Sequence, residues 1–243
     1  MRALVLFSGG LDSSTTLAIA RHEGMDASAV SFSYGQKHLR ELQAATAIAA
    51  HYGVRHRTVT LPLIAGSTLT DGGDIPRERP LHALDETVAP TYVPNRNMIM
   101  LARAAAMAYA EDALDLYGGW NVLDASNYPD CREVFLRATE QALRLATERP
   151  FVVHRPLITL TKGEIIQRAL ELSVPLHETW SCYLGADRPC LSCDTCLLRT
   201  RGFLEAKLPD PALTALEWGR ARDIYLSTQA AGPGARAAGQ AHG

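Results

Sequence analysis

The 243-residue chain carries almost no net charge, with a formal value of −2. It therefore lacks the electrostatic footprint of a basic nucleic-acid binder or a polybasic membrane segment. It also lacks long apolar runs: none approaches the about 20 residues a bilayer-crossing helix needs. No internal repeat is present. The opening Met1–Phe7 run is too short for a signal peptide and leads straight into a motif, so the expected location is the cytoplasm. Cysteine is scarce, with five residues in all. Four of them, Cys182, Cys190, Cys193 and Cys196, crowd into one short segment, and Cys131 stands alone. In a reducing cytosol such a cluster points to metal rather than disulfides.

What remains is an ordinary globular composition, 47% hydrophobic and 21% charged. Short apolar runs at 3–7 and 29–32, the alternating stretch 54–61, and residues 113–119 read as strands. They alternate with helical patterns at 13–21, 39–51, 97–111 and 133–147. Residues 62–90 are rich in Gly, Pro, Asp and Thr and read as a long loop-like insertion. Strand–helix alternation predicts an α/β fold with a doubly wound parallel sheet. Past residue 155 the character changes. Thr161 and Glu164 form a capping box at a helix start, and the cysteines follow. The expected organisation is a nucleotide-binding α/β domain over 1–155, a helical zinc-bearing subdomain over 156–226, and a disordered tail over 227–243.

The strongest local signal is Ser8-Gly9-Gly10-Leu11-Asp12-Ser13 at a strand-to-helix junction. Two glycines let the backbone turn tightly against an anion, and the following helix aims N–H groups and its positive dipole end at that point. Ser8 and Ser13 add hydroxyl donors. Asp12 either holds Mg²⁺ or caps the helix. An ordinary βα turn is the bland alternative. The pattern lacks the Gly-Lys-Ser/Thr ending of a Walker loop and resembles the loop of the ATP-pyrophosphatase superfamily. That resemblance implies that Phe7, Ser8, Gly9, Gly10, Leu11, Asp12, Ser13, Ser14, Thr15, Thr16 and Leu17 line an ATP site.

The spacing Cys182-x7-Cys190-x2-Cys193-x2-Cys196 suits four thiolates closing a tetrahedral shell around zinc. An iron–sulfur cluster or redox thiols are the alternatives. Other polar constellations follow predicted strands, where open α/β sheets bind ligands. Tyr34, Gln36, Lys37 and His38 form one, with Glu41 a turn further on; a solvated helix start is its plain reading. Arg96 and Asn97, after Pro94, form another: Arg96 can grip a phosphate or carboxylate or be a surface arginine. Asp124, Tyr128, Asp130 and Arg132 can read the edge and face of a purine-like substrate, or form a capped turn. Cys131 is a nucleophile or a small packed residue, and Lys162 a second phosphate ligand or an exposed residue.

Taken in order, these motifs resemble the QueC family over residues 2–205, from Ser8-Gly9-Gly10 through Val93–Asn97 and Tyr128–Arg132 to the cysteines and Gly202-Phe203. The resemblance implies that 7-carboxy-7-deazaguanine, ammonia and ATP give 7-cyano-7-deazaguanine through adenylated acid and amide, with release of AMP and pyrophosphate. It also implies Mg²⁺ with ATP, structural Zn²⁺ on the four clustered cysteines, catalytic roles for Asp12, Ser13, Lys162 and Arg96, a homodimer, and neither nucleic acid nor membrane as partner. The chain departs from the family pattern at Leu11, where Gln is common, and at Asn95 and Asn127, where Gly is expected. Ala125 stands in place of an aromatic residue, removing a stacking surface. Leu191-Ser192 lies between metal ligands where Gly is usual. Rival readings are a related ligase acting on another acid or on tRNA, and a zinc-ribbon binding module with a decayed loop.

Overall fold

The computed structural model describes residues 1–35, 40–80, 88–122 and 128–230. Five parallel strands form one sheet in the order β3-β2-β1-β4-β5. They are β1 (Arg2–Leu6), β2 (Asp26–Ser33), β3 (His56–Thr60), β4 (Asp115–Tyr117) and β5 (Val152–His154). The helices are α1 (Leu11–His22), α2 (Arg40–His51), α3 (Arg96–Ala110), α4 (Glu133–Thr147), α5 (Lys162–Glu171), α6 (Asp194–Glu205) and α7 (Ala215–Ala230). The expected α/β architecture is present.

Both faces of the sheet are covered, which explains why β1 reads as a continuous apolar run rather than an alternating one. Side chains still alternate between faces. Ala3 and Val5 of β1 pack with Leu17 of α1 and Ala45 and Ile48 of α2. Leu4 packs the other way, with Leu101 and Ala104 of α3 and Leu136 of α4. In α4 the buried residues Leu136, Thr139 and Leu143 recur at helical spacing.

A third apolar cluster joins α1 to the C-terminal helices: Leu11, Ala18 and Ile19 meet Ile165 and Ile166 of α5 and Phe203 of α6. Ile165 and Ile166 are fully buried, each contributing roughly 1.5–3 kcal/mol. The helices α5 and α6 cross closely because glycines meet there. A Cβ at Gly202 would lie 2.7 Å from Lys162 Cβ, and one at Gly163 would lie 2.7 Å from Glu205 Cβ. The capping box at the start of α5 is formed: Thr161 Oγ1 accepts from the Glu164 N–H, and the Glu164 carboxylate accepts from the Thr161 N–H.

Two sequence expectations shift. β5 escaped the periodicity reading because three residues carry no measurable period. And α7 continues through Ala230 with Thr228 buried, so a boundary at 227 falls inside a helix. Residues 231–243 lie outside the described residues.

Candidate active site

The strand order reverses direction at β1, where β1 feeds α1 and its neighbour β4 arrives from later in the chain. A crevice outside the carboxyl ends of the strands at such a switch point is where open α/β sheets bind ligands. A cleft of about 290 Å³ opens there.

Its floor is the Ser8–Ser13 loop. Gly9 takes φ +79°, and a Cβ on it would lie 2.4 Å from the backbone nitrogen of Ala45 in α2, so neither the conformation nor the space admits a side chain. The two serine hydroxyls stand 3.1 Å apart. Ser8 Oγ accepts from the Gly10 N–H at 3.3 Å, and Ser13 Oγ accepts from the Ser8 N–H at 3.2 Å. The hydroxyls thus sit beside the N-terminal end of α1, the end that attracts anions.

Asp12 does not cap that helix. Gly10 is the N-cap, without a side-chain bond. The Asp12 carboxylate instead turns across the cleft, where Oδ2 pairs with Lys162 Nζ and accepts from Asn121 Nδ2 at 3.2 Å. Lys162 is buried rather than an exposed early-helix residue. The other oxygen, Asp12 Oδ1, is buried and has no hydrogen-bond partner among the described residues. A lone hard oxygen buried at an anion-binding loop fits a divalent cation such as Mg²⁺. Of the predicted nucleotide residues, Phe7, Ser8, Gly10, Leu11, Asp12 and Ser13 line the cleft. Ser14, Thr15, Thr16 and Leu17 are buried within α1. The hydroxyls of Thr15 and Thr16 donate back to the carbonyls of Leu11 and Asp12.

The upper wall is aromatic and cationic. Arg96, the first residue of α3, donates to the Tyr34 hydroxyl at 3.0 Å and lies 5.6 Å from its ring centroid. Burial opposes its charge, but the phenols of Tyr34, Tyr183 and Tyr128 and the Cys131 thiol outweigh that, so its pKa rises above the ordinary arginine value. Burial pushes the Tyr183 phenol up, and its neighbour Tyr128, 3.3 Å away hydroxyl to hydroxyl, adds to the rise. Asn95 precedes α3 in the left-handed region at φ 55°. Asn tolerates that conformation, so the turn expected of a glycine persists.

Asn97 ties this wall together: its side-chain amide donates to Cys131 Sγ at 3.2 Å and accepts from the Trp120 indole at 3.2 Å. Cys131 is thereby a small packed residue at the cleft edge, touched by Asn97. Asp130 is buried and accepts from the Asn97 backbone N–H at 2.9 Å, a helix-capping contact. Arg132 is exposed at the start of α4. Neither is among the residues lining the cleft. Gln36, Lys37, His38 and Asp124, with Ala125 and Asn127, lie outside the described residues.

Sequence reading passed over several residues that do line the cleft: Gly119, Trp120, Trp180 and Tyr183, along with Glu41, noted earlier only as a neighbour of Tyr34. Gly118-Gly119 directly after a strand, at a switch point, was a legible signal. Trp180 was not: it reaches the loop through its backbone N–H, which donates to the Gly9 carbonyl at 3.0 Å.

The four clustered cysteines converge, with all Sγ atoms within 4.8 Å of one another. Bonds of about 2.3 Å to a tetrahedral zinc place sulfurs about 3.8 Å apart; Cys190 and Cys196 Sγ stand at 3.9 Å. Backbone N–H groups of Leu184 and Cys190 point at Cys182 Sγ (3.4 and 3.3 Å), and that of Cys193 points at Cys190 Sγ (3.3 Å). Such donors stabilise thiolates. The cluster fits a structural zinc. Leu191 within it takes φ 65°, which explains why a glycine suits that position. The insertion straps onto this cluster. Arg77 bridges Cys193 in antiparallel fashion, Glu78 N–H donates to the Ser192 carbonyl at 2.7 Å, and Arg79 pairs with Asp194 at 2.6 Å.

Comparison with known proteins agrees with this geometry. The family model described as "Queuosine biosynthesis protein QueC" matches residues 2–207. The 7-cyano-7-deazaguanine synthase of Thermoplasma acidophilum is 45% identical over 216 residues, covering 86% of this chain and 90% of that protein. The protein of the same name from Nostoc sp. PCC 7120 is 45% identical over 220 residues, covering 87% and 96%. That from Archaeoglobus fulgidus is 41% identical over 239 residues, covering 96% and 99%.

Proposed function

This chain belongs to the QueC family of queuosine biosynthesis proteins, and from that premise we propose that it is an ATP-dependent ligase that converts 7-carboxy-7-deazaguanine and ammonia to 7-cyano-7-deazaguanine. The observation that carries the reading is the buried Lys162–Asp12 pair at the mouth of the Ser8–Ser13 loop. Two residues 150 positions apart meet at the one place where an ATP triphosphate would have to be gripped.

In this reading the loop and the N-terminal end of α1 hold the β and γ phosphates, with the Ser8 and Ser13 hydroxyls as donors. Lys162 neutralises charge on the departing pyrophosphate. Arg96 holds the carboxylate of the acid substrate, and its position at the start of α3 leaves the guanidinium facing the cleft. The side chains of Tyr34, Trp120, Tyr128 and Tyr183 offer apolar faces for a flat heterocycle. Asp12, through Oδ1, would hold Mg²⁺, which supplies charge neutralisation on the phosphates. Fixing acid and ATP in line lowers the barrier further. The acid oxygen attacks the α-phosphorus, pyrophosphate leaves, and ammonia displaces AMP to give the amide. A second adenylation on the amide oxygen releases another pyrophosphate, and loss of two N–H protons with cleavage of the C–O bond, AMP leaving with the former amide oxygen, gives the nitrile. The cysteines would hold Zn²⁺ in a closed shell with no part in the chemistry. We further infer the homodimer that the family pattern implies, a state sedimentation analysis reads directly.

The test is an incubation of purified protein with Mg·ATP, ammonium and 7-carboxy-7-deazaguanine, with products read by mass spectrometry. Nitrile, AMP and pyrophosphate are expected, and the Asp12→Ala variant should make AMP at least about 10³-fold more slowly while remaining folded, at a lowered melting temperature, and keeping its metal. AMP without nitrile would mean another end product. Turnover by Asp12→Ala near the wild-type rate would overturn the loop assignment.

A further inference from the structure

The cleft is built for anions, with a helix end, Lys162 and Arg96 around it, yet one carboxylate that the ATP chemistry does not use also lines it. Glu41 sits in the first turn of α2 and lines the cleft together with Ser8 and Arg96. A carboxylate beside a triphosphate is electrostatically out of place unless it meets a cation, and Arg96, the cation near it, is engaged by the substrate carboxylate in the reading above. Asp12 already offers the orphaned oxygen suited to a metal. The remaining cation in the proposed reaction is ammonium, which is the protonated, non-nucleophilic form that dominates at neutral pH. Resting on the ligase reading above, we propose that Glu41 is the catalytic residue that binds ammonium and takes its proton.

The step balances. Glu41 accepts one proton from NH₄⁺, and the freed nitrogen lone pair forms the C–N bond at the acyl carbon of the adenylate. The C–O bond to AMP then breaks, AMP leaves with that electron pair, and the second surplus proton passes from nitrogen to solvent. No redox partner is needed. Burial pushes the Glu41 carboxyl above its ordinary range, opposed by the nearby Arg96 charge and Ser8 hydroxyl, which makes it a better base than a surface glutamate. Among the described residues, no other group around the cleft is so placed. Asp12 and Lys162 are paired with each other, and Arg199 is committed to Asp210. Cys182 belongs to the metal cluster, Cys131 takes the Asn97 amide, and Tyr34 accepts from Arg96. Tyr128 and Tyr183 face each other.

The experiment compares two partial reactions in wild type and Glu41→Gln: acid-dependent ATP–pyrophosphate exchange without ammonium, and amide plus nitrile formation with it. The ratio of the second rate to the first should fall about 10²–10⁴-fold in the variant. In wild type, kcat/KM for total ammonium should stay flat across neutral pH and fall on the acid side as Glu41 becomes protonated. In Glu41→Gln it should instead rise about tenfold per pH unit below the ammonium pKa, tracking free ammonia. Glu41→Asp should restore the flat profile in part. An unchanged ratio, or equal loss of both reactions, overturns the proposal; equal loss would assign Glu41 to the ATP site. If Glu41→Gln does not fold, the wild-type profile decides, since a tenfold-per-unit rise there means that solvent ammonia is used directly. Absence of exchange in wild type would instead sink the ligase reading, independently of Glu41.

Discussion

Gly9 shows how tightly single residues constrain the loop. Its φ of +79° and the 2.4 Å approach of the Ala45 backbone leave no room for a methyl group. By contrast, a Cβ at Gly10 would lie 3.2 Å from the Trp180 carbonyl and 3.3 Å from Ser8 Oγ, a contact small shifts can relieve. Gly9→Ala is therefore expected to push α2 away, cost about 2–4 kcal/mol and abolish ATP turnover. Gly10→Ala should keep the fold. Thermal unfolding of the two variants checks this, and equal melting temperatures would refute the packing argument. The Lys162–Asp12 pair has the same character: side chains only 9% and 22% exposed leave either partner costly to strand.

At the scale of elements, α5 exists largely to deliver Lys162. Its capping box sets the first turn, and the facing glycines let α6 press against it. Thr161→Ala removes one acceptor for the Glu164 N–H, so about 1 kcal/mol of stability should be lost. Because Lys162 is the next residue, KM for ATP should rise as well. A melting shift with unchanged KM would separate the cap from the site. The same economy governs α3, where Asp130 accepts from the Asn97 backbone and so orients the turn that carries Arg96.

For the whole molecule, the cysteine cluster matters less as chemistry than as a fastener. Arg77, Glu78 and Arg79 attach the insertion to Ser192, Cys193 and Asp194. Leu69 of that insertion lines the cleft, as do Cys182 and Tyr183. Cys193→Ser should thus lose metal, stability and ATP turnover together. Metal content by plasma mass spectrometry, read against melting temperature, tests this. A variant that kept a full equivalent of zinc would sink the four-ligand site. No helix among the described residues is long and apolar enough to cross a membrane.

What the sequence determined by itself is what short peptides encode. The Ser8–Ser13 loop, the Thr161–Glu164 capping box and the four-cysteine spacing each act within one turn or loop, so their residues must be near one another in any fold. The strand–helix alternation likewise carried the doubly wound sheet. Only the tertiary structure decided that Lys162 reaches Asp12, that Asn121 holds the same carboxylate, that Glu41 and Arg96 share a cleft, and that Asp130 caps a helix instead of facing that cleft. These pairings join residues tens to more than a hundred positions apart. Local periodicity cannot contain them, because they follow from the order in which strands lie side by side and from how closely helices can pack.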